Sequence, residues 1–217
     1  MGKENDRIGA DIACLGAAEM PFTLVSTAGF HCDVWRSMGV IVRGEDRLAL
    51  DFVLKVSKRP YRLPEVRVLR DEHRVLRAAL EDIVPRARFV ATRVNNKPGV
   101  IVLVENRTPW FDISNPGNEE EALPLLRRQG KAAGQLQRFT ACARRWLEAE
   151  SRVIDLCGVE NLVLDRKYEV RYLDSFHVFF HLDILHVIDE VNDALKFRIE
   201  TSVKRLEYLE RLVQAVR

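Results

Sequence analysis

One stretch, Asp155 to Asp174, limits what this chain can become more than any other. It reads D-L-C-G-V-E-N-L-V-L-D-R-K-Y-E-V-R-Y-L-D. Leu162, Val163 and Leu164 form one short apolar strand, Asp165, Arg166 and Lys167 supply a turn, and Val170, Tyr172 and Leu173 make a second strand. A hairpin of this kind carries Asn161 in at one end and brings Asp174 out beside it. Two oxygen-bearing side chains then face one point, as a hard cation such as Mg²⁺ requires. Asp155 lies one short loop earlier, where a carboxylate can contact a hydroxyl nucleophile.

Upstream the pattern is first β, then helical. Residues 1–20 show weak periodicity and read as a mobile arm or a strand-like lead-in. Phe22, Leu24 and Val25 make a first strand, and T-A-G-F-H-C-D-V-W follows as a turn. Gly39 to Val42 and Leu48 to Val56 give two further strands across the polar turn R-G-E-D-R. Lys55 sits inside the second of these, and an ammonium in so apolar a strand costs desolvation unless an anion answers it. The alternative is a strand-end lysine turned to solvent.

A helix from Pro64 to Leu80 carries Leu69, Leu76 and Leu80 on one stripe, with Glu72 on that stripe rather than opposite it. Glu65 is a rival acid, but first-turn acids are explained by the helix dipole. Phe89 to Ala91 and Gly99 to Val104 read as two more strands across N-N-K-P-G, and Asp112 to Glu121 as a polar loop. Residues 122–150 read as one helix with Ala133, Leu136, Phe139, Ala143, Trp146 and Leu147 on one face. Its arginines and lysine lie mostly outside that face. Such a basic face can meet phosphate or anionic lipid, although solvation is the commoner explanation.

This order of strands, lysine, helix with glutamate, strands, helix, Asp, Asn, hairpin and Asp resembles the protein-kinase-like superfamily over residues 22–180. The resemblance implies an α+β, two-lobed fold: a five-stranded antiparallel N-lobe sheet with one helix, then a short, mainly helical C-lobe. It divides the chain into an arm at 1–20, an N-lobe at 21–105 and a reduced C-lobe at 106–217 holding the 155–174 hairpin. It implies a nucleotide partner, ATP, with Mg²⁺ as cofactor. The loop from Thr27 to Val34 would cover the phosphates, with Gly29 standing for the family's middle glycine and Thr27 and Cys32 replacing the others. Val34 and Val53 would contact adenine, Lys55 would hold the α- and β-phosphates in an ion pair with Glu72, and the backbone from Glu105 to Arg107 would form the hinge. Asn161 and Asp174 would bind the metal, and Asp155 would orient the acceptor hydroxyl.

Three departures bear on turnover. Val153 and Ile154 stand where the family has His and Arg, Asp155 and Asn161 are one residue further apart than usual, and Ser175-Phe176 replaces Phe-Gly after Asp174. After Asp174 the chain is too short for the peptide-holding helices of protein kinases. It is more similar to the small bacterial kinase-like proteins of the PhoP regulatory network, and next to lipopolysaccharide core sugar kinases. Two function classes remain: a phosphotransferase to a small-molecule or cell-envelope hydroxyl, and a pseudokinase-like regulatory binding module.

Other features are bland. The net charge of +2 gives no field for nucleic acid. Cys14, Cys32, Cys142 and Cys157 lack metal or redox spacing and read as reduced thiols of a cytoplasmic protein. The charged start lacks a signal sequence. His177 and His181 at i, i+4, with His186 and Asp183, read as a packed helix face rather than a metal site. Asp174-Ser175 also reads as a helix opening near Phe176. The tail from Leu185, with Ile188, Leu195, Ile199, Val203, Leu206, Leu209, Val213 and Val216, approximates a heptad seam with Asn192 in it. That seam would pack on the chain's own helices or, failing that, dimerise, and a membrane or protein surface is an additional partner class.

Overall fold

The computed structural model describes residues 8, 10–14, 22–37, 39–43, 46–49, 51–185 and 193–216. They fall into two compact units, Met1–His73 with Arg86–Asn106, and Arg74–Pro85 with Arg107–Arg217. The class is α+β: an antiparallel sheet in the N-terminal part and mainly helices in the C-terminal part.

In the first unit come β1 (Phe22–Ser26), β2 (Cys32–Ser37), β3 (Val40–Arg43), β4 (Asp46–Ala49), β5 (Phe52–Ser57), the start of α1 (Leu63–Leu80), β6 (Ala87–Val94) and β7 (Lys97–Glu105). Five strands join in the order β1-β2-β5-β7-β6, all antiparallel. Its membership corrects the sequence reading. Residues 32–35, which the sequence pattern assigns to a turn, belong to the strand Cys32–Ser37 that links β1 to β5. Among the described residues, 40–43 and 46–49 pair with each other as a separate two-stranded sheet. The run from Leu48 to Val56 is broken near Asp51, whose Oδ1 accepts from Asn106 Nδ2 at 2.6 Å and Arg36 Nη2 at 3.3 Å. Period-2 alternation is short in each piece, so the pattern alone could not say which piece had partners on both sides.

Asn95 and Asn96 both have positive φ, 51° and 62°, between Val94 and Lys97. That is the type I′ geometry for which asparagine is favoured. Of the lead-in, Ile8 and Ile12 are buried against Phe22, Leu54, Val56 and Ile101, and Ile12 bridges to Val94. Ile12 thus makes one isolated bridge to the sheet, and Ile8 is buried without strand structure. Along α1 the buried positions are Val66, Leu69, His73, Leu76 and Leu80, steps of three and four. Glu65 accepts from the Arg62 N–H at 2.8 Å, a first-turn cap as its position suggested.

The second unit contains the end of α1, then β8 (Pro109–Asp112), α2 (Glu119–Arg128), α3 (Gly130–Glu150), β9 (Arg152–Ile154), β10 (Leu162–Asp165), β11 (Val170–Tyr172), β12 (Phe179–His181), the single turn α4 (Leu182–Leu185) and α5 (Asp193–Ala215). The expected hairpin forms with Leu162 opposite Tyr172 and Leu164 opposite Val170. β8, unmarked in the sequence, adds a third strand on β10, and β9 pairs with β12. The helix read over 122–150 is two helices. Gln129, at φ −115° and ψ 76°, leaves the helical region ahead of Gly130 and closes α2 through bonds to the Leu125 and Leu126 carbonyls. No helix opens at Phe176, because His177 takes φ 48° and the chain then extends into β12. His177 and His181 therefore share no helix face, and His186 lies outside the described residues.

The core of this unit combines Leu136, Phe139, Ala143 and Trp146 of α3 with Leu162, Leu164, Tyr172, Phe179 and the α5 residues Leu206, Leu209 and Leu212. The later part of the heptad-like seam is thus buried within its own unit; Ile188 and Asn192 lie outside the described residues. No described helix is long and apolar enough to cross a membrane.

Candidate functional site

In the first unit, the β5 register places Val34 of β2 directly across from Lys55, and Val102 of β7 across from it on the other side. Val53 precedes Lys55 by two residues. Directly opposed residues and residues two apart share a sheet face. Val34, Val53 and Lys55, drawn from two separate segments, therefore line one face. Leu54 and Val56, on the other, pack on Ile8, Ile12 and Phe22. Lys55 is only 8% exposed and is not turned to solvent. Glu72 is half-buried on the α1 stripe, between Leu69 and Leu76.

The loop from Thr27 to His31 is tied down by Lys58, which the sequence reading had not singled out. Lys58 Nζ donates to the Thr27 carbonyl at 2.5 Å and the Gly29 carbonyl at 2.7 Å, and lies 3.3 Å from Asp33 Oδ1. A Cβ on Gly29 would stand 2.9 Å from the Cys32 carbonyl, so this close approach requires glycine. Glu105 ends β7 with an exposed side chain, and its N–H donates to the Arg86 carbonyl at 2.9 Å.

In the second unit Asp155 follows β9 and is 2% exposed. Its Oδ1 accepts from the Cys157 N–H at 2.9 Å and its Oδ2 from Arg198 Nη2 at 2.5 Å. Its carbonyl accepts from Asn161 Nδ2 and from the Tyr172 hydroxyl, both at 3.0 Å. Burial raises the carboxyl pKa above the ordinary Asp value, and the charge of Asp174 raises it further; Arg198 and the Cys157 N–H oppose this without reversing it. The same burial, with the Asp155 charge behind it, pushes the Cys157 thiol up.

Asn161 is held amide-down by that Nδ2 bond, its side chain lying against Gly158, where a Cβ would come 2.5 Å from Oδ1. Asp174 caps the next turn, its Oδ1 accepting from the N–H groups of Ser175 at 2.6 Å and Phe176 at 3.1 Å. Both of those bonds fall on one oxygen, leaving Oδ2 outside them. An amide oxygen and a carboxylate oxygen form the donor set that Mg²⁺ accepts alongside phosphate oxygens. In donor type alone these two side chains match the metal that the resemblance implies. Among the described residues no group of three or more His, Cys, Asp or Glu side chains is placed to hold a metal ion, His177, His181 and Asp183 included.

The rest of this loop is fastened to α5. Ser202 Oγ accepts from the Leu156 N–H at 3.0 Å, and Arg205 Nη1 donates to the carbonyls of Leu156 at 2.6 Å and Gly158 at 3.0 Å. Arg198, Ser202 and Arg205 are spaced i, i+4, i+7. That polar stripe was legible as one face of a helix, but nothing local aims it at a loop some forty residues earlier. The hairpin itself is pinned by Arg171, 2% exposed, whose Nε meets Asp165 Oδ2 at 2.9 Å and whose other nitrogens meet Glu169 and the Asp82 carbonyl.

No protein-family model matches the chain, and no curated protein matches it significantly.

Proposed function

We propose that the chain is a small kinase-like protein that binds ATP with Mg²⁺ and transfers a phosphoryl group to a hydroxyl acceptor. The observation that carries this reading is the convergence around the hairpin mouth. Asp155, Asn161 and Asp174 come from one 20-residue stretch that the hairpin folds back on itself; Asn161 bonds the Asp155 backbone, and the charge of Asp174 reaches the Asp155 carboxyl. In support, the element order is the one the resemblance calls for, and Lys55 lies buried on one sheet face with Val34 and Val53. In this reading Lys55 and Glu72 position phosphates, Val34 and Val53 contact the base, and Gly29 lies in the covering loop. The backbone at Glu105 meets adenine. Asn161 and Asp174 hold Mg²⁺, which when bound would neutralise phosphate charge. A raised pKa suits Asp155 to accepting a hydroxyl proton.

One contact favours the second reading, a regulatory binding module without turnover. Asp155 is 2% exposed and both its oxygens already accept a bond, Oδ2 from Arg198, which restricts the approach of an acceptor hydroxyl. Thermal shift with ATP, with and without Mg²⁺, tests the common part. Saturation at about a hundredfold over the dissociation constant should raise Tm by roughly 5 °C or more. A turnover assay with sugar and small-molecule acceptors then separates the two readings. The absence of any nucleotide-dependent shift would remove both.

A further inference from the structure

We propose that the tip of the β10–β11 hairpin, together with Trp110 beside it, is a docking surface for an anionic lipid membrane. The turn between the strands is Arg166-Lys167-Tyr168-Glu169. Trp110 of β8 is 48% exposed and Tyr168 38%, and their rings meet edge to face with centroids 5.0 Å apart. Tyr168 has φ 58°, a left-handed conformation that Gly or Asn takes readily and bulky residues avoid. The fold thus holds an aromatic ring outward at a position where a plain turn would use a smaller residue.

The charges are sorted in the same sense. Arg166 and Lys167 are both exposed, and among the described residues neither side chain makes a hydrogen bond or ion pair. The turn's carboxylates point the other way. Asp165 is 4% exposed; its Oδ1 caps the N–H groups of Lys167 and Glu169, and its Oδ2 meets Arg171. Glu169 is taken up by Arg171 and by Lys131, so these charges cancel with Asp165 and leave Arg166 and Lys167 as the surplus. The tip therefore shows solvent two aromatic rings and a surplus of positive charge. Indole and phenol rings settle at headgroup depth, and nearby lysines and arginines are drawn to anionic headgroups. A peptide partner would instead call for an apolar cleft, which a tight turn does not form.

The test is co-sedimentation of the full chain with phosphatidylcholine vesicles, with and without phosphatidylserine. Binding should need phosphatidylserine and weaken as salt rises. Replacing Arg166 and Lys167 together by Gln should weaken it roughly 30-fold, since each basic residue near the surface contributes about a fivefold factor. Tyr168→Asn should weaken binding while the melting temperature stays equal or rises, which separates a role for the ring from damage to the fold. The proposal is overturned if the parent fails to sediment at low salt, or if either variant binds as the parent does. Capture by poly-glutamate without vesicle binding would also overturn it, assigning the patch to an acidic protein.

Discussion

Arg198 closes on Asp155: its Nη2 stands 2.5 Å from Oδ2 of a carboxylate that is almost wholly buried. The guanidinium also lies over the Phe180 ring, 5.0 Å from its centroid. Removing one partner of a buried pair leaves the other charge stranded, and the cost exceeds what the pair itself contributes. Arg198→Met should therefore destabilise the protein by about 2–3 kcal/mol. Adding Asp155→Asn should recover most of that loss. A double-mutant cycle by urea unfolding measures both, and strictly additive effects would show that the contact carries no coupling.

The pH dependence follows from the direction of the Asp155 shift. Its folded pKa lies above the unfolded value, so its contribution favours the native state most below the ordinary Asp pKa, about 3.9. That contribution is lost as pH rises through the folded value. Asp155→Asn carries no such burden. The stability of the variant relative to the parent should therefore increase from pH 4 upward and level off once Asp155 is ionised in both states. Paired unfolding curves from pH 4 to pH 8 check the sign; a gap that narrows with pH would refute it.

Asp174→Asn should leave the fold intact, since an Asn oxygen can accept from the Ser175 and Phe176 N–H groups as Asp does. It should lose the Mg²⁺-dependent part of any ATP stabilisation because the charge is gone. Thermal shift at fixed ATP, with Mg²⁺ titrated, reads the difference. Mg²⁺ dependence identical to the parent's would reduce Asp174 to a capping residue.

Lys55→Met should abolish the nucleotide response without a large loss of stability. Lys55 is 8% exposed, so its ammonium is costly to desolvate, and a thioether of similar length carries no charge to desolvate. A variant that still shifts fully with ATP would remove Lys55 from the site.

Gly158→Ala tests the Asn161 amide without touching it. The added methyl would meet Oδ1 at 2.5 Å and must displace the side chain, at a cost of about 1–3 kcal/mol. The expected signature is a weaker Mg²⁺-dependent shift with the Mg²⁺-free shift retained. Equal loss of both would mean that the loop, and not the amide alone, had moved.

The parts of the fold legible in the sequence are those specified by neighbours in the chain. The 162–172 hairpin declares itself through two apolar runs and a polar turn, and α1 through apolar residues at steps of three and four. The asparagine pair marks the β6–β7 turn because its side chains tolerate positive φ. The errors fall where local pattern and partner choice differ. Residues 32–35 look like the continuation of a turn until β1 and β5 are seen on either side of them. β8 and β9 are so short that each is a strand only by virtue of the strand it meets. The α2–α3 break rests on a single non-helical residue before a glycine.

The candidate site divides along the same line. Which residues carry oxygen or nitrogen, and their order from Lys55 to Asp174, belong to the sequence, because chemical identity and spacing are covalent facts. Tertiary structure decided that Val34, Val53 and Lys55 share one sheet face, since strand register is set by hydrogen bonding between segments distant in the chain. It decided as well that Asp155 meets Arg198 and that the loop after it, Leu156 to Gly158, is fastened by Ser202 and Arg205. A helix face becomes a partner for a particular loop only when packing brings the two together, and burial, which moves the Asp155 pKa, does not exist until the chain has folded.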